Sequence, residues 1–310
     1  AEEIRKNCYP IIIGDAKFLL ESAARFGLFD DFTVVPKGSE IPEYSGGKPV
    51  IYDLANLNEK ITPGIESAAT GRASAEYIET AVALWKGKKV AAIATAPISK
   101  KALALGGYDF PGHTEFLARL TGTKDFAMSF FAERLRVVLL STHVSLVDAI
   151  KLVKKENLVH LILFTSRELE KLLKRRVKIA VAGLNPHASE GGMFGAEEAA
   201  EIAPAIEECR EKHNVDVSGA YSPDTIFLRG YKGEFDAVVA CYHDQATIAV
   251  KCLSFGASVN VTLGLPLIRT SVDHGTATDI AGKNIADASS MKAAINLAKD
   301  LIRNLAENVV

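Results

Sequence analysis

The sequence predicts an α/β fold, a mostly parallel sheet with helices on both faces. Short β-rich runs alternate with longer helical patterns along most of the 310 residues. Several of those runs, VVLL, IAVA and AVVA among them, are continuously apolar rather than alternating. That pattern suits strands buried on both faces. The length exceeds one usual core and calls for two intimate lobes or one large unit. No repeat and no Pro/Gly/Ser-rich linker cuts it into independent domains.

Taken in order, Tyr9–Ile13, Phe32–Val35 and Pro49–Asp53 read as strands, with helix Ala16–Phe26 after the first. Helix Ile65–Trp85 leads into strand Val90–Thr95. Apolar runs Ala127–Phe131 and Arg136–Leu140 read as two further strands. Ser145 can cap a helix beginning LVDAI, with Asp148 at the third helical position as a weak capping-box partner. Helix Glu156–Lys174 ends in KLLKRR, cations where the helix dipole favours them. Strand Lys178–Ala182, helix Ala196–Glu211, strands Asp236–Cys241 and Ser258–Leu263 and helix Ser289–Leu305 complete the reading.

Composition narrows the function. Apolar residues at 48% and charged residues at 24% exclude a disordered chain. A net charge of −2 argues against nucleic acid or an anionic membrane as main partner. No apolar run approaches the roughly 20 residues of a membrane span. Cys8, Cys209, Cys241 and Cys252 form no CxxC pair and read as reduced thiols of a cytoplasmic protein. No signal peptide is visible, and a start at Ala1 rather than Met points to residues removed upstream. Dinucleotide-type GxGxxG, Walker GxxxxGK[ST], HExxH and GxSxG motifs are all absent.

The histidines carry more. His143 ends RVVLLSTH, His187 ends VKIAVAGLNPH and His243 ends FDAVVACYH, each just past a strand. Ligands of open α/β sheets bind beyond the carboxyl ends of strands. If these strands are parallel neighbours, three imidazoles gather at one edge, the donor set of a catalytic divalent-metal site. Each also fits a histidine that merely hydrogen-bonds in a loop. His160 reads as a packed helical residue and His213 as solvated, while His113 in PGHTE and His274 in SVDHGTATDIAGK lie among small residues. Segments 94–101, 188–198 and 273–283 have the small-residue look of phosphate-approaching loops, the second equally that of a flexible turn. Asp224, Asp244, Gln245, Asn260 and Arg269 lie near strand ends or turns. Arg269 suits bidentate recognition of phosphate or carboxylate, whereas Lys251 also fits an ordinary surface lysine.

ATAPISKKAL, FPGHTEFLA, STHVSL, GLNPHASEGGMFGAEE, SPDTIF, YHDQ and VNVTLGLPLIRTSVDHGTATDIAGK resemble, in order, the 4-hydroxythreonine-4-phosphate dehydrogenase family of vitamin B6 biosynthesis and its sugar-acid-phosphate relatives. HGTATDIAGKNIAD looks like the adenine-side cofactor loop of isocitrate and isopropylmalate dehydrogenases, a fold type that binds NAD or NADP without a Rossmann fingerprint. The resemblance implies that fold, in two lobes with the site in the cleft between them: 1–112 plus 264–310 on the cofactor side, and 113–263 for metal and dimerisation. It implies His143, His187 and His243 as ligands of one divalent ion, zinc, magnesium or cobalt. His113, Thr114, Lys251, Asn260 and Arg269 match substrate contacts. Asp224 and Asp244 match acidic residues close to the metal and are the candidate catalytic carboxylates. His274, Gly275, Thr276, Ala277 and Asp279 fall in the cofactor loop. It further implies a homodimer with an interfacial active site, His243 acting across the dimer.

The reaction implied is metal-assisted oxidation, by NAD or NADP, of a phosphorylated 3-hydroxy acid, with decarboxylation of the 3-oxo product. A non-redox acyltransferase of similar fold and an inactive, binding-only member are the alternatives. YHDQATIAVKCLSF and ATDIAGKNIAD look closer to the branch acting on 4-phospho-D-threonate or 4-phospho-D-erythronate. Two departures stand out. The family's opening strand and GDPxGIGPE segment have no counterpart, and Ser99 stands where the family usually has Asn.

Overall fold

A computed structural model describes residues 2–5, 8–27, 31–43, 48–254 and 256–306. Ala1, Lys6 and Asn7 of the opening stretch, and Phe255 of YHDQATIAVKCLSF, lie outside the described residues. The chain divides into two compact units. One comprises residues 1–124, 266–269 and 274–299, the other 125–265, 270–273 and 300–310.

The first unit runs α1 (Glu2–Arg5), β1 (Ile11–Gly14), α2 (Ala16–Arg25), β2 (Thr33–Pro36), β3 (Val50–Asp53), α3 (Ala68–Lys86), β4 (Ala92–Thr95), α4 (Lys100–Leu105) and α5 (His113–Thr121). Strands β1, β3 and β2 form a parallel sheet in that order, Ile51 facing both Ile12 and Val34. Carboxylates finish the strands. Asp15 caps α2 by accepting from the Phe18 amide at 2.9 Å, and Asp53 accepts from the Ala16 amide at 2.9 Å. α3 starts on a reciprocal capping box between Ser67 and Thr70. Gly71 lets α4 lie against α3, since a Cβ there would stand 1.7 Å from the Ala102 carbonyl oxygen.

The second unit holds β5 (Ala127–Ala132), β6 (Leu135–Leu139), α6 (Leu146–Leu152), α7 (Lys155–Leu173), β7 (Lys178–Ala182), α8 (Ala203–His213), β8 (Asp216–Tyr221), α9 (Pro223–Tyr231), β9 (Ala237–Ala240), α10 (His243–Leu253) and β10 (Val259–Leu263). β11 (Ile268–Ser271) and α11 (Ser289–Ala306) have residues in both units. Its strands follow the order β11-β10-β5-β6-β9-β7-β8. β6, β9, β7 and β8 are parallel, whereas β11, β10, β5 and β6 alternate in direction. Val137, Val138, Ile179, Val181, Val238 and Val239 are wholly buried, so the continuous apolar runs reflect burial on both faces. One face packs on Ile226 and Phe227 of α9 and Ala246 and Val250 of α10.

Several expectations are corrected. The strands expected at Ala127–Phe131 and Arg136–Leu140 both form, but they pair with each other as an antiparallel hairpin rather than in parallel, turning at Glu133–Arg134 with Glu133 at φ 52°. Burial, rather than strand direction, wrote their pattern. β8 and β11 were not anticipated, being short and interrupted by Gly or polar residues. The expected helix Ala196–Glu211 opens as a π turn over Glu198–Ile202 before α8 begins. Pro204 explains this, since it brings no amide hydrogen to the bond four residues back. Ser145 caps α6 as anticipated, accepting from the Asp148 amide at 3.2 Å. All four cysteines are free. Among the described residues no helix is long and apolar enough to cross a membrane.

Candidate active site

Because β6, β9, β7 and β8 are parallel neighbours, their carboxyl ends share one edge. His143 follows β6, His243 opens α10 directly after β9, His187 follows β7, and Asp224 lies in the first turn of α9 after β8. The rings of His143 and His243 stand 5.8 Å apart between centroids. That is within the roughly 6 Å that two imidazoles sharing one ion can span, given metal–nitrogen bonds of about 2.0–2.1 Å. His243 Nδ1 lies 2.8 Å from Asp244 Oδ1. A carboxylate only accepts, so Nδ1 donates and Nε2 is the nitrogen presented to a ligand. His243, which the resemblance assigns to a site shared across a dimer, has its ring beside that of His143 within its own chain. His187 is exposed, with its ring against Phe194 at 6.4 Å. Among the described residues no group of three His, Cys, Asp or Glu in one chain is placed to hold a metal ion. The imidazole pair with its carboxylate backing nonetheless fits part of a zinc- or cobalt-type donor set.

The His187 loop is unusual in its backbone. His187, Ala188, Ser189, Glu190 and Gly191 all have left-handed φ, from 44° to 73°. Each non-glycine residue there costs about 1–2 kcal/mol, so the surroundings must impose the turn. Glu198, 6% exposed, supplies much of that constraint. Its Oε1 accepts from the amides of Leu184 at 2.8 Å and Asn185 at 2.7 Å, and its Oε2 accepts from Asn185 Nδ2 at 2.8 Å. Burial works to raise its carboxyl, but these donors outweigh it and hold the group below the ordinary carboxylate range. Gln245 ties the same loop to β9, donating to the Gly183 carbonyl and accepting from the Cys241 amide, both at 2.8 Å. Ser141 donates to the Cys241 carbonyl at 3.1 Å, joining the end of β6.

The other substrate candidates of this unit are spread out. Lys251 is exposed in the last turn of α10, eight residues and about 12 Å along the axis from His243. Asn260 is half-buried on β10, in register with Phe130 and Ser271. Asp224 is exposed and accepts from Ser222 Oγ at 2.6 Å.

In the first unit, Arg269 is 3% exposed, and its Nε and Nη2 both donate to Thr95 Oγ1, at 3.2 and 2.8 Å. Burial brings its guanidinium down to about 10, opposed by the attraction of Glu115. His113, the first residue of α5, is pushed down to about 3 by desolvation and then by the Arg269 charge. It is therefore neutral at physiological pH. Thr114 beside it is buried. A buried cation, a neutral imidazole and a hydroxyl together suit an anionic ligand. The loop 274–283 is mostly exposed, including His274, Gly275, Thr276, Ala277 and Asp279. The loop holds a three-residue turn at Thr278–Ile280, and the helix expected from Ser289 follows as α11. A Cβ at Gly275 would meet no atom within 4 Å, leaving open space for a ligand to approach. Ser99 caps α4 and donates to Glu66, which also pairs with Lys101 at 3.2 Å.

Thr95, Glu115 and Glu198 were not singled out from sequence. Thr95 and Glu115 lie inside the quoted ATAPIS and GHTE motifs, whereas nothing in AEE marks which glutamate turns inward.

Comparison with known proteins fits these observations. A family model described as "Pyridoxal phosphate biosynthetic protein PdxA" matches residues 6–298. A D-threonate 4-phosphate dehydrogenase of Cupriavidus necator is 43% identical over 97% of this chain and 90% of its own length. A 4-hydroxythreonine-4-phosphate dehydrogenase of Desulfosudis oleivorans is 42% identical over 96% and 88%. The crystal structure of a 4-hydroxythreonine-4-phosphate dehydrogenase from Klebsiella pneumoniae superposes with a TM-score of 0.84 at 39% identity, covering 94% of this chain and 88% of that one.

Proposed function

Since the chain belongs to the PdxA family of pyridoxal phosphate biosynthetic proteins, we propose that it oxidises the C3 hydroxyl of a 4-phosphorylated 3-hydroxy acid. The single observation that carries this reading is the His143–His243 pair, backed by Asp244, at the carboxyl edge of parallel strands. In the proposal His143, His187 and His243 hold one divalent ion, zinc, magnesium or cobalt, and loop 274–283 with His274, Gly275, Thr276, Ala277 and Asp279 takes NAD or NADP. When bound, the ion supplies Lewis-acid polarisation and the nicotinamide accepts hydride.

The chain's own residues do the rest. Arg269, with His113 and Thr114 beside it, receives an anionic end of the substrate, and Lys251 and Asn260 complete substrate binding. Asp244 is engaged by His243 Nδ1 and orients that imidazole. Asp224 is then the carboxylate offered for the hydroxyl proton. Oxidation at C3 yields a 3-oxo acid, which loses carbon dioxide from C1. Exposed apolar residues a few positions after two of the histidines in sequence, Leu146 and Val147 after His143 and Met193 after His187, support a homodimer whose interface covers them.

The relatives named for D-threonate 4-phosphate and for 4-hydroxythreonine-4-phosphate stand at 43% and 42% identity, so overall similarity does not choose between them. The two compounds share the C1 carboxylate, C3 hydroxyl and C4 phosphate and differ at C2. We take the 4-phospho-D-threonate or 4-phospho-D-erythronate branch as the favoured substrate on the YHDQATIAVKCLSF pattern. NADH and NADPH formation, measured with each phosphate and each metal ion, tests this. The phosphorylated sugar acids should react fastest, and no turnover of any phosphorylated 3-hydroxy acid would sink the proposal.

A further inference from the structure

We propose that Glu198 is a positioning residue for His187, holding its imidazole in the orientation that binds metal. This rests on the proposed metal role of His187. The argument begins where β7 ends. Beyond Ala182 the chain leaves the sheet, and the amides of Leu184 and Asn185 both turn to one oxygen of Glu198. The other oxygen takes the Asn185 side chain. Three donors, one from Leu184 and two from Asn185, therefore fix the chain two residues before His187 to a single buried carboxylate. Pro186 contributes no amide hydrogen. The left-handed run from His187 to Gly191 follows, a conformation that four successive non-glycine residues do not hold by themselves.

Its remaining anchors are short-range. The Ala188 amide donates to the Asn185 carbonyl at 3.1 Å, and Ser189 Oγ donates to the Gly195 carbonyl at 2.6 Å. The turn thus stands on Asn185, which Glu198 holds by its amide and its side chain and Glu197 by the side chain alone, at 2.8 Å. The packing is close as well. A Cβ at Gly183 would lie 2.9 Å from Ala188 Cα and 3.2 Å from Glu198 Oε1, so loop and carboxylate occupy one fitted space. Substituting the carboxylate frees the loop base to relax toward right-handed geometry, which turns His187 away. Glutamine keeps the volume but places an amide donor against the donors of Asn185.

The experiment titrates cobalt(II) into metal-free enzyme and reads its visible d–d absorption, with unfolding temperature as a separate measure. Wild type, Glu198→Gln, His187→Ala and the double variant are compared. We expect Glu198→Gln to weaken cobalt binding roughly ten- to a hundred-fold, the usual effect of an outer-shell partner. Its spectrum should move toward that of His187→Ala. In the His187→Ala background, Glu198→Gln should cost no further affinity, because its effect passes through that imidazole. Wild-type affinity in Glu198→Gln, or an equal loss in both backgrounds, overturns the inference. If wild type and His187→Ala bind cobalt alike, the metal role of His187 itself fails, which is a distinguishable result. Should Glu198→Gln not fold, Asn185→Ala, which removes the Nδ2 bonds to both Glu198 Oε2 and Glu197 Oε2 but leaves the two amide bonds to Glu198 Oε1, carries the same expectations with a smaller loss.

Discussion

Replacing Arg269 by lysine tests the anion site most directly. The guanidinium is 3% exposed, and its Nε and Nη2 both rest on Thr95 Oγ1, which sets the plane of the fork. An ammonium cannot reproduce two coplanar donors fixed by one hydroxyl. The same burial that brings Arg269 down to about 10 acts on an ammonium that starts lower, so the introduced charge weakens further at alkaline pH. Losing a charge-assisted, bidentate contact costs about 1.5–3 kcal/mol. That corresponds to a roughly ten- to hundred-fold rise in apparent substrate constant. Steady-state kinetics should show this for the phosphorylated substrate, with the rise growing above neutral pH and the NAD(P) constant nearly unchanged. The unphosphorylated analogue, which lacks the C4 phosphate, should distinguish the two enzymes much less. If Arg269→Lys leaves the kinetics of the phosphorylated substrate untouched while the protein stays folded, Arg269 is a structural residue and the anion site is misassigned.

Three further outcomes are expected. A base held below its unfolded value stabilises fully above that value and loses the contribution as pH falls. For His113 the loss therefore begins near the ordinary 6.5 and continues toward about 3. Denaturant unfolding should show wild type losing about 1–2 kcal/mol more than His113→Gln between pH 6.5 and 5, and parallel pH curves would refute a neutral, buried His113. Gly275→Leu should raise the NAD(P) constant more than the substrate constant with little change in unfolding temperature, since a Cβ there meets nothing within 4 Å. Equal effects on both constants would move the cofactor elsewhere. Gly71→Ala should destabilise by about 3 kcal/mol or more, because its Cβ would fall 1.7 Å from the Ala102 carbonyl oxygen; an unchanged midpoint in urea would contradict that close helix contact.

The sequence by itself determined the alternation of strands and helices and the positions of His143, His187 and His243 after strands. Both follow from local rules: apolar runs report burial, and the Ser145–Asp148 cap is written in neighbouring residues. The family, too, was legible in ordered motifs such as GLNPHASEGGMFGAEE and YHDQ. Strand order and direction belong to the tertiary structure. VVLL and AVVA read alike, yet the strand that carries VVLL pairs antiparallel on one side and parallel on the other. Only that order aligns β6, β9 and β7 so that His143 and His243 meet. Long-range partners were equally silent in sequence. Thr95 and Arg269 lie 174 residues apart along the chain and meet at 2.8 Å. Glu197 and Glu198 look equivalent on paper, but only Glu198 turns both oxygens onto Asn185 and Leu184. A buried polar group must find donors wherever the fold brings them, and that search is settled in three dimensions rather than along the chain.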